Sequence, residues 1–149
     1  MATTKGRIKA ISLSEKKGMC KKNVPEAKLK VDHGIIGDAH AGNWHRQISL
    51  LSFESISEVI AQGTMLSPGD FAENITTEGI DLQSVKIGDK LILGKKIELK
   101  ITQIGKKCHT KCEIYKKLGD CIMPSDGIFA KVVNSGVIKV GDEIEVINA

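Results

Sequence analysis

Lys86-Ile-Gly-Asp-Lys-Leu-Ile-Leu-Gly-Lys-Lys-Ile-Glu-Leu-Lys-Ile-Thr-Gln-Ile104 is the stretch that sets the fold class. Its apolar residues alternate with charged ones, the pattern of a strand with one face toward a core. The form of its first six residues returns at Lys139-Val-Gly-Asp-Glu-Ile144. In both copies Gly-Asp sits among alternating apolar residues and reads as a tight turn joining strand pieces, where glycine supplies a backbone angle other residues resist. Working outward, strand-like runs fall at residues 6–12, 47–51, 90–93, 97–104, 128–133 and 143–147, separated by Gly, Asp or Asn. Many short strands between turn signals predict a mainly β fold, a closed or nearly closed β-barrel with a few short helices.

Two helices interrupt the pattern. Ser52 caps the first, whose Phe53, Ile56, Val59 and Ile60 share one face and which Gly63 ends. The second starts at Thr110, where Thr-x-x-Glu113 has the form of a capping box, and stops at Gly119.

The 149 residues are 41% apolar, 27% charged and 3% aromatic, which predicts one globular domain over 1–149 and excludes disorder and fibrous repeats. Only Trp44, Phe53, Phe71, Tyr115 and Phe129 are aromatic, so the core falls to Ile, Val and Leu. No apolar run nears the roughly 20 residues of a membrane span, and residues 1–15 lack the apolar segment of a secretory signal. The expected location is the cytoplasm. There, Cys20, Cys108, Cys112 and Cys121 are expected as thiols, which favours thiolate chemistry or metal ligation over disulfides.

The net charge is +4, and it is concentrated: residues 1–30 hold nine Lys or Arg against Glu15 and Glu26. A basic end attracts phosphate, an anionic cofactor or an acidic partner. It does not make a nucleic-acid binder, because Trp44 and Tyr115 are nearly the only residues available as a stacking platform.

Three segments carry the candidate chemistry. Cys108 precedes the second helix and Cys112 lies in its first turn, where backbone N–H groups and the helix dipole favour a thiolate; Lys106, Lys107, His109 and Lys111 act in the same direction. Cys108 is thus the first candidate nucleophile or soft-metal ligand. Cys108, Cys112 and Cys121 also suggest zinc, although the second pair of ligands is missing. The second segment runs from Gly34 to Gln47, where three glycines let a loop approach a ligand while Asp38, His40, His45 and Arg46 bring charge, proton transfer and an anion fork. It lacks the glycine spacing of a phosphate or dinucleotide loop. In the third segment, Glu73 and Asn74 follow the Pro68-Gly69 turn, placed either to orient a ligand or to cap a turn.

Together these residues resemble the MOSC family, the module named after the C-terminal domain of molybdenum cofactor sulfurase. The resemblance rests on Gly34-x-x-Gly37-Asp38-x-His40, Arg46-Gln47-x-Ser49-Leu50, Gly69-x-Phe71-x-Glu73-Asn74, Ile87-Gly88-Asp89, Cys108, Gly127-x-Phe129-Ala130 and Val140-Gly141-Asp142. It implies a β-barrel that carries sulfur as a cysteine persulfide, taken from a pyridoxal-phosphate-dependent cysteine desulfurase and passed to metal-sulfur or molybdenum-pterin centres. Some relatives bind the molybdenum cofactor and reduce N-hydroxylated compounds. By resemblance, Cys108 is the acting thiol and metal ligand, with Cys121 and Cys112 as alternatives. Asp38, His40, Arg46, Glu73, Asn74 and His109 line the cofactor pocket. The implied partner is the desulfurase or a molybdenum-cofactor protein, and a zinc-stabilised interaction module is the non-enzymatic alternative.

Overall fold

The structure, a computed structural model, describes residues 5–17, 19–61, 63, 66–105, 122 and 126–148. Its strands are β1 (Lys5–Leu13), β2 (Lys22–Val24), β3 (Glu26–Lys30), β4 (Gly34–Ile35), β5 (Ile48–Ser52), β6 (Ile75–Glu78), β7 (Lys90–Leu93), β8 (Ile97–Ile104), β9 (Ile128–Val132), β10 (Gly136–Lys139) and β11 (Glu143–Ile147). One α-helix, α1 (Phe53–Ile60), and one 3₁₀ turn (Leu82–Ser84) complete the described elements.

Seven strands close into a barrel in the order β1-β6-β5-β9-β8-β7-β11 and back to β1, the closure that the short strands predicted. All neighbours are antiparallel except β5 and β6. Strand β1 makes closure possible. Its first residues pair with β11 and its middle with β6, and the register shifts between Ile8 and Ala10, the kind of irregularity that lets a strand bend around a barrel. The end of β1 continues past the barrel to pair with β2.

Aliphatic side chains fill the interior, among them Ile8, Leu50, Ile75, Leu99, Ala130 and Ile144. A second cluster lies between the barrel and α1, built on Leu51, Ile56, Phe71, Ala72 and Phe129. Strand β5 is consequently buried on both faces. As its sequence predicts, Ser52 caps α1, accepting a hydrogen bond from the Ser55 N–H at 3.1 Å, and Gly63 follows the end of the helix with its N–H on the Ile60 carbonyl.

The two Gly-Asp motifs form the same turn. Gly88 and Gly141 have positive φ; Asp89 accepts from the Lys86 N–H at 2.9 Å, and Asp142 from the Lys139 N–H at 2.8 Å. Ser67-Pro-Gly-Asp70 is a third copy, with Gly69 at φ 95° and the Asp70 carboxylate 2.8 Å from the Ser67 N–H. A short sheet in the order β10-β3-β4 stands beside the barrel, and β4 feeds the Gly-rich loop directly. Among the described residues no helix is long and apolar enough to cross a membrane.

Candidate functional site

The Gly-rich loop leaves β4 and returns at β5, and backbone hydrogen bonds fix its path. The Asp38 N–H reaches the Ile35 carbonyl at 3.1 Å, the Ala39 N–H reaches that of Ser14 at 2.8 Å, and the Gly42 N–H reaches that of His33. These contacts turn the Asp38 side chain inward, where it is wholly buried.

A charge that leaves water must find a partner. Asp38 meets the ammonium of Lys21, equally buried, with Nζ 2.8 Å from Oδ1. The Ser14 N–H donates to the same oxygen at 3.1 Å, and the His40 N–H to Oδ2 at 3.0 Å. Burial pushes the Asp38 carboxyl up, but contacts from His40 and Lys21, the Lys21 charge and the Ser14 amide outweigh it and hold the group well below the usual carboxylate range. The Lys21 Nζ also lies 3.1 Å from the Ser14 hydroxyl and 3.0 Å from His40 Nδ1. Two predicted residues, Asp38 and His40, thus meet around a third that the sequence concealed. Lys21 stands in a basic run beside the exposed Lys22, with no local feature to set it apart.

A second group adjoins the first through Trp44, whose indole N–H donates to the His40 carbonyl at 2.7 Å. The Lys17 ammonium and the Arg46 guanidinium each lie 4.6 Å from the Trp44 ring centre, and Arg46 also stands over Phe129 at 5.8 Å. The Arg46 Nε is buried and meets no acceptor among the described residues. His45 points elsewhere, its Nε2 2.8 Å from the Gln103 amide oxygen at the end of β8. Gln103 in turn donates to the Gly105 carbonyl, and the Gly105 N–H bonds to the Gly127 carbonyl at 2.7 Å. The chain enters the segment that carries Cys108 at this point, beside the Trp44–Arg46 loop. Cys108, His109, Cys112 and Cys121 lie outside the described residues, as does the helix expected from Thr110 to Gly119.

Glu73 and Asn74 are fully buried. Asn74 ties β5 to β1: its oxygen accepts from the Ser49 N–H at 3.0 Å and its amide donates to the Ser12 carbonyl at 3.1 Å. Glu73 accepts from the Thr76 hydroxyl at 3.0 Å, while its Oε1 has no donor at hydrogen-bond geometry among the described residues. Burial pushes this carboxyl up, opposed by the backbone amides of Gly69, Glu73 and Phe71 and by Thr76.

The basic end is less positive than its composition implies. Lys5 pairs with Glu143, Arg7 and Lys9 with Glu78, and Lys21 with Asp38. Lys17 faces the candidate site. No three His, Cys, Asp or Glu side chains among the described residues are grouped to hold a metal ion.

The MOSC domain model matches residues 37–145. No curated protein matches the chain. Among solved structures, the YUAD protein from Bacillus subtilis is 22% identical with a TM-score of 0.80, the match covering 97% of each chain. YiiM from Geobacillus stearothermophilus is 19% identical with a TM-score of 0.71, covering 96% of this chain and 75% of that one. YiiM from Escherichia coli is 16% identical with a TM-score of 0.67, covering 96% and 70%. At these identities the likeness is one of fold.

Proposed function

The chain belongs to the MOSC domain family, and from that premise we propose that it handles sulfur and the molybdenum cofactor, carrying sulfur as a persulfide on Cys108 and holding a molybdenum-pterin at the Arg46 side of the loop. The observation that carries this reading is the Arg46 guanidinium. Its buried Nε–H meets no acceptor among the described residues, and it shares the Trp44 ring with Lys17, so two cations converge beside one donor. Such a donor set fits the phosphate of a pterin cofactor. Arg46 and Lys17 would hold that phosphate, and the Cys108 thiolate would ligate the metal. When bound, the cofactor supplies two-electron redox chemistry, and the protein contributes position and electrostatics.

In sulfur transfer the Cys108 thiolate attacks the outer sulfur of a persulfide on a cysteine desulfurase. A sulfur–sulfur bond forms on Cys108 while the donor's breaks, and the donor cysteine leaves as a thiolate, so no outside oxidant is needed. Lys106, Lys107 and Lys111 in the sequence around Cys108 favour the thiolate that this step requires.

Native mass spectrometry of protein purified without oxygen from molybdenum-supplied cells tests the reading. Wild type is expected to carry the mass of a molybdenum-pterin or of added sulfur atoms. Cys108→Ser should fold normally and lose both, whereas Arg46→Gln should lose the pterin and keep the sulfur. A bare or zinc-only chain, or loading that survives Cys108→Ser, contradicts it.

A further inference from the structure

Lys21 is absent from every motif of the sequence, yet it is the buried centre of the polar cluster. An ammonium has three protons to donate and no lone pair. Three acceptors stand within hydrogen-bond distance of its Nζ: Asp38 Oδ1 at 2.8 Å, His40 Nδ1 at 3.0 Å and the Ser14 hydroxyl at 3.1 Å. Because Lys21 can only donate, His40 Nδ1 must accept, and its lone pair must face the ammonium. The other reading of the ring, with a proton on Nδ1 given to Asp38, has poor geometry. Nδ1 is 3.7 Å from Oδ2, beyond hydrogen-bond range, and Oδ2 already accepts from the His40 backbone N–H at 3.0 Å. A proton on both ring nitrogens would put an N–H against an N–H and one positive charge beside another.

We infer that Lys21 is a positioning residue that fixes His40 as the neutral ring protonated at Nε2, so that this histidine can serve the site only as a hydrogen-bond donor. The consequence for ligand chemistry rests on the function proposed above. A ring N–H stabilises an anionic acceptor atom, such as a thiolate or persulfide sulfur or a phosphate oxygen. It cannot take a proton or ligate a metal through Nε2 without losing its own proton. Asp38 anchors Lys21 and the Ser14 hydroxyl accepts from it as well, so the constraint is built from the strand end after β1, the Lys21 turn and the Gly-rich loop together.

The test is ¹⁵N NMR of the imidazole of His40 in the full-length chain near pH 7 without added ligand. The wild-type ring is expected to show a lone-pair nitrogen at Nδ1 and a protonated Nε2. Lys21→Met removes the donor and should shift the ring toward the Nδ1-protonated or doubly protonated forms. Lys21→Arg, which keeps a donor, should retain the wild-type signature, as should Ser14→Ala, which leaves Lys21 and His40 in place. A wild-type ring protonated at Nδ1 overturns the inference without reference to any variant, and so does an unchanged tautomer in a folded Lys21→Met protein. None of these spectra depends on sulfur or cofactor loading, so failure here leaves the mass-spectrometric test of function standing, and the reverse holds as well.

Discussion

Asp38 and Glu73 are both acids with fully buried side chains, both were singled out by sequence, and the fold treats them in opposite ways. Asp38 faces the Lys21 ammonium and is held ionised. Glu73 has a hydroxyl and backbone dipoles but no cation paired with it among the described residues, and its carboxyl is pushed up. Burial is common to the two sites, so what separates them is the set of partners within reach: His40, the Lys21 ammonium at 2.8 Å and the Ser14 amide together outweigh the desolvation of Asp38, whereas the hydroxyl and backbone amides around Glu73 do not outweigh its own. The two regions meet at Gly69, whose carbonyl accepts from the Lys21 N–H at 2.8 Å and whose own amide helps to oppose the burial of Glu73.

The hardest blow to this contrast is removal of the cation. Lys21→Met leaves the buried Asp38 carboxylate without its ammonium partner, with the Ser14 and His40 amides still donating to it, and chemical denaturation is expected to show a loss of about 3–5 kcal/mol. Adding Asp38→Asn to that variant should recover part of the loss, since the two residues act as a unit and their effects do not add. Full additivity would mean that the pair is not coupled.

Gly69→Ala strikes both regions at once. The new methyl group would stand 2.4 Å from the Lys21 carbonyl oxygen, at a backbone angle that favours glycine. An expected loss of about 1–3 kcal/mol in the same measurement reflects the strain and the displaced Lys21 segment.

Glu73→Gln should have the smallest effect, within about 1 kcal/mol near neutral pH, because it removes a buried acid without orphaning a charge. Its value is in the pH dependence. Below its unfolded pKa of about 4, Asp38 takes up protons more readily in the unfolded chain, so its contribution to stability falls as pH falls. Glu73 has the opposite sign. The folded state keeps its proton above the unfolded value of 4.5, so its contribution falls as pH rises from there to the raised folded pKa. Denaturation curves taken both below about pH 4 and above pH 4.5 should show Glu73→Gln losing the upper dependence and keeping the lower one.

The contrast also marks how far the sequence could be read. Strands such as β8 and β11 were legible because aliphatic residues alternate along them, and the Gly-Asp turns because one turn geometry demands those residue types. Strand β3, Glu26-Ala-Lys-Leu-Lys30, has the same alternation, but its two apolar residues were hidden in a run of lysines. Strand β6, Ile75-Thr-Thr-Glu78, is not among the strand-like runs, because it is only four residues long and carries a single aliphatic residue. The Gly-rich loop was found from its density of reactive residues, and Asp38 and His40 do meet within it. What composition could not reveal were partners distant in the chain. Glu78 and Glu143 neutralise part of the basic end from 71 and 138 residues away. Lys21 looks like any surface lysine until the loop folds over it. Asn74 has the composition of a loop residue, but its hydrogen bonds join two strands.

The most direct test of the account is a ¹³C-carboxyl NMR titration that follows Asp38 and Glu73 in the same folded sample. Asp38 should remain ionised well below the ordinary aspartate range, while Glu73 takes up its proton above the ordinary glutamate range. Titration of both near their unfolded values, or in the reverse order, would contradict the claim that the contacts of Asp38 with His40 and Lys21, which Glu73 lacks, decide the charge of the site.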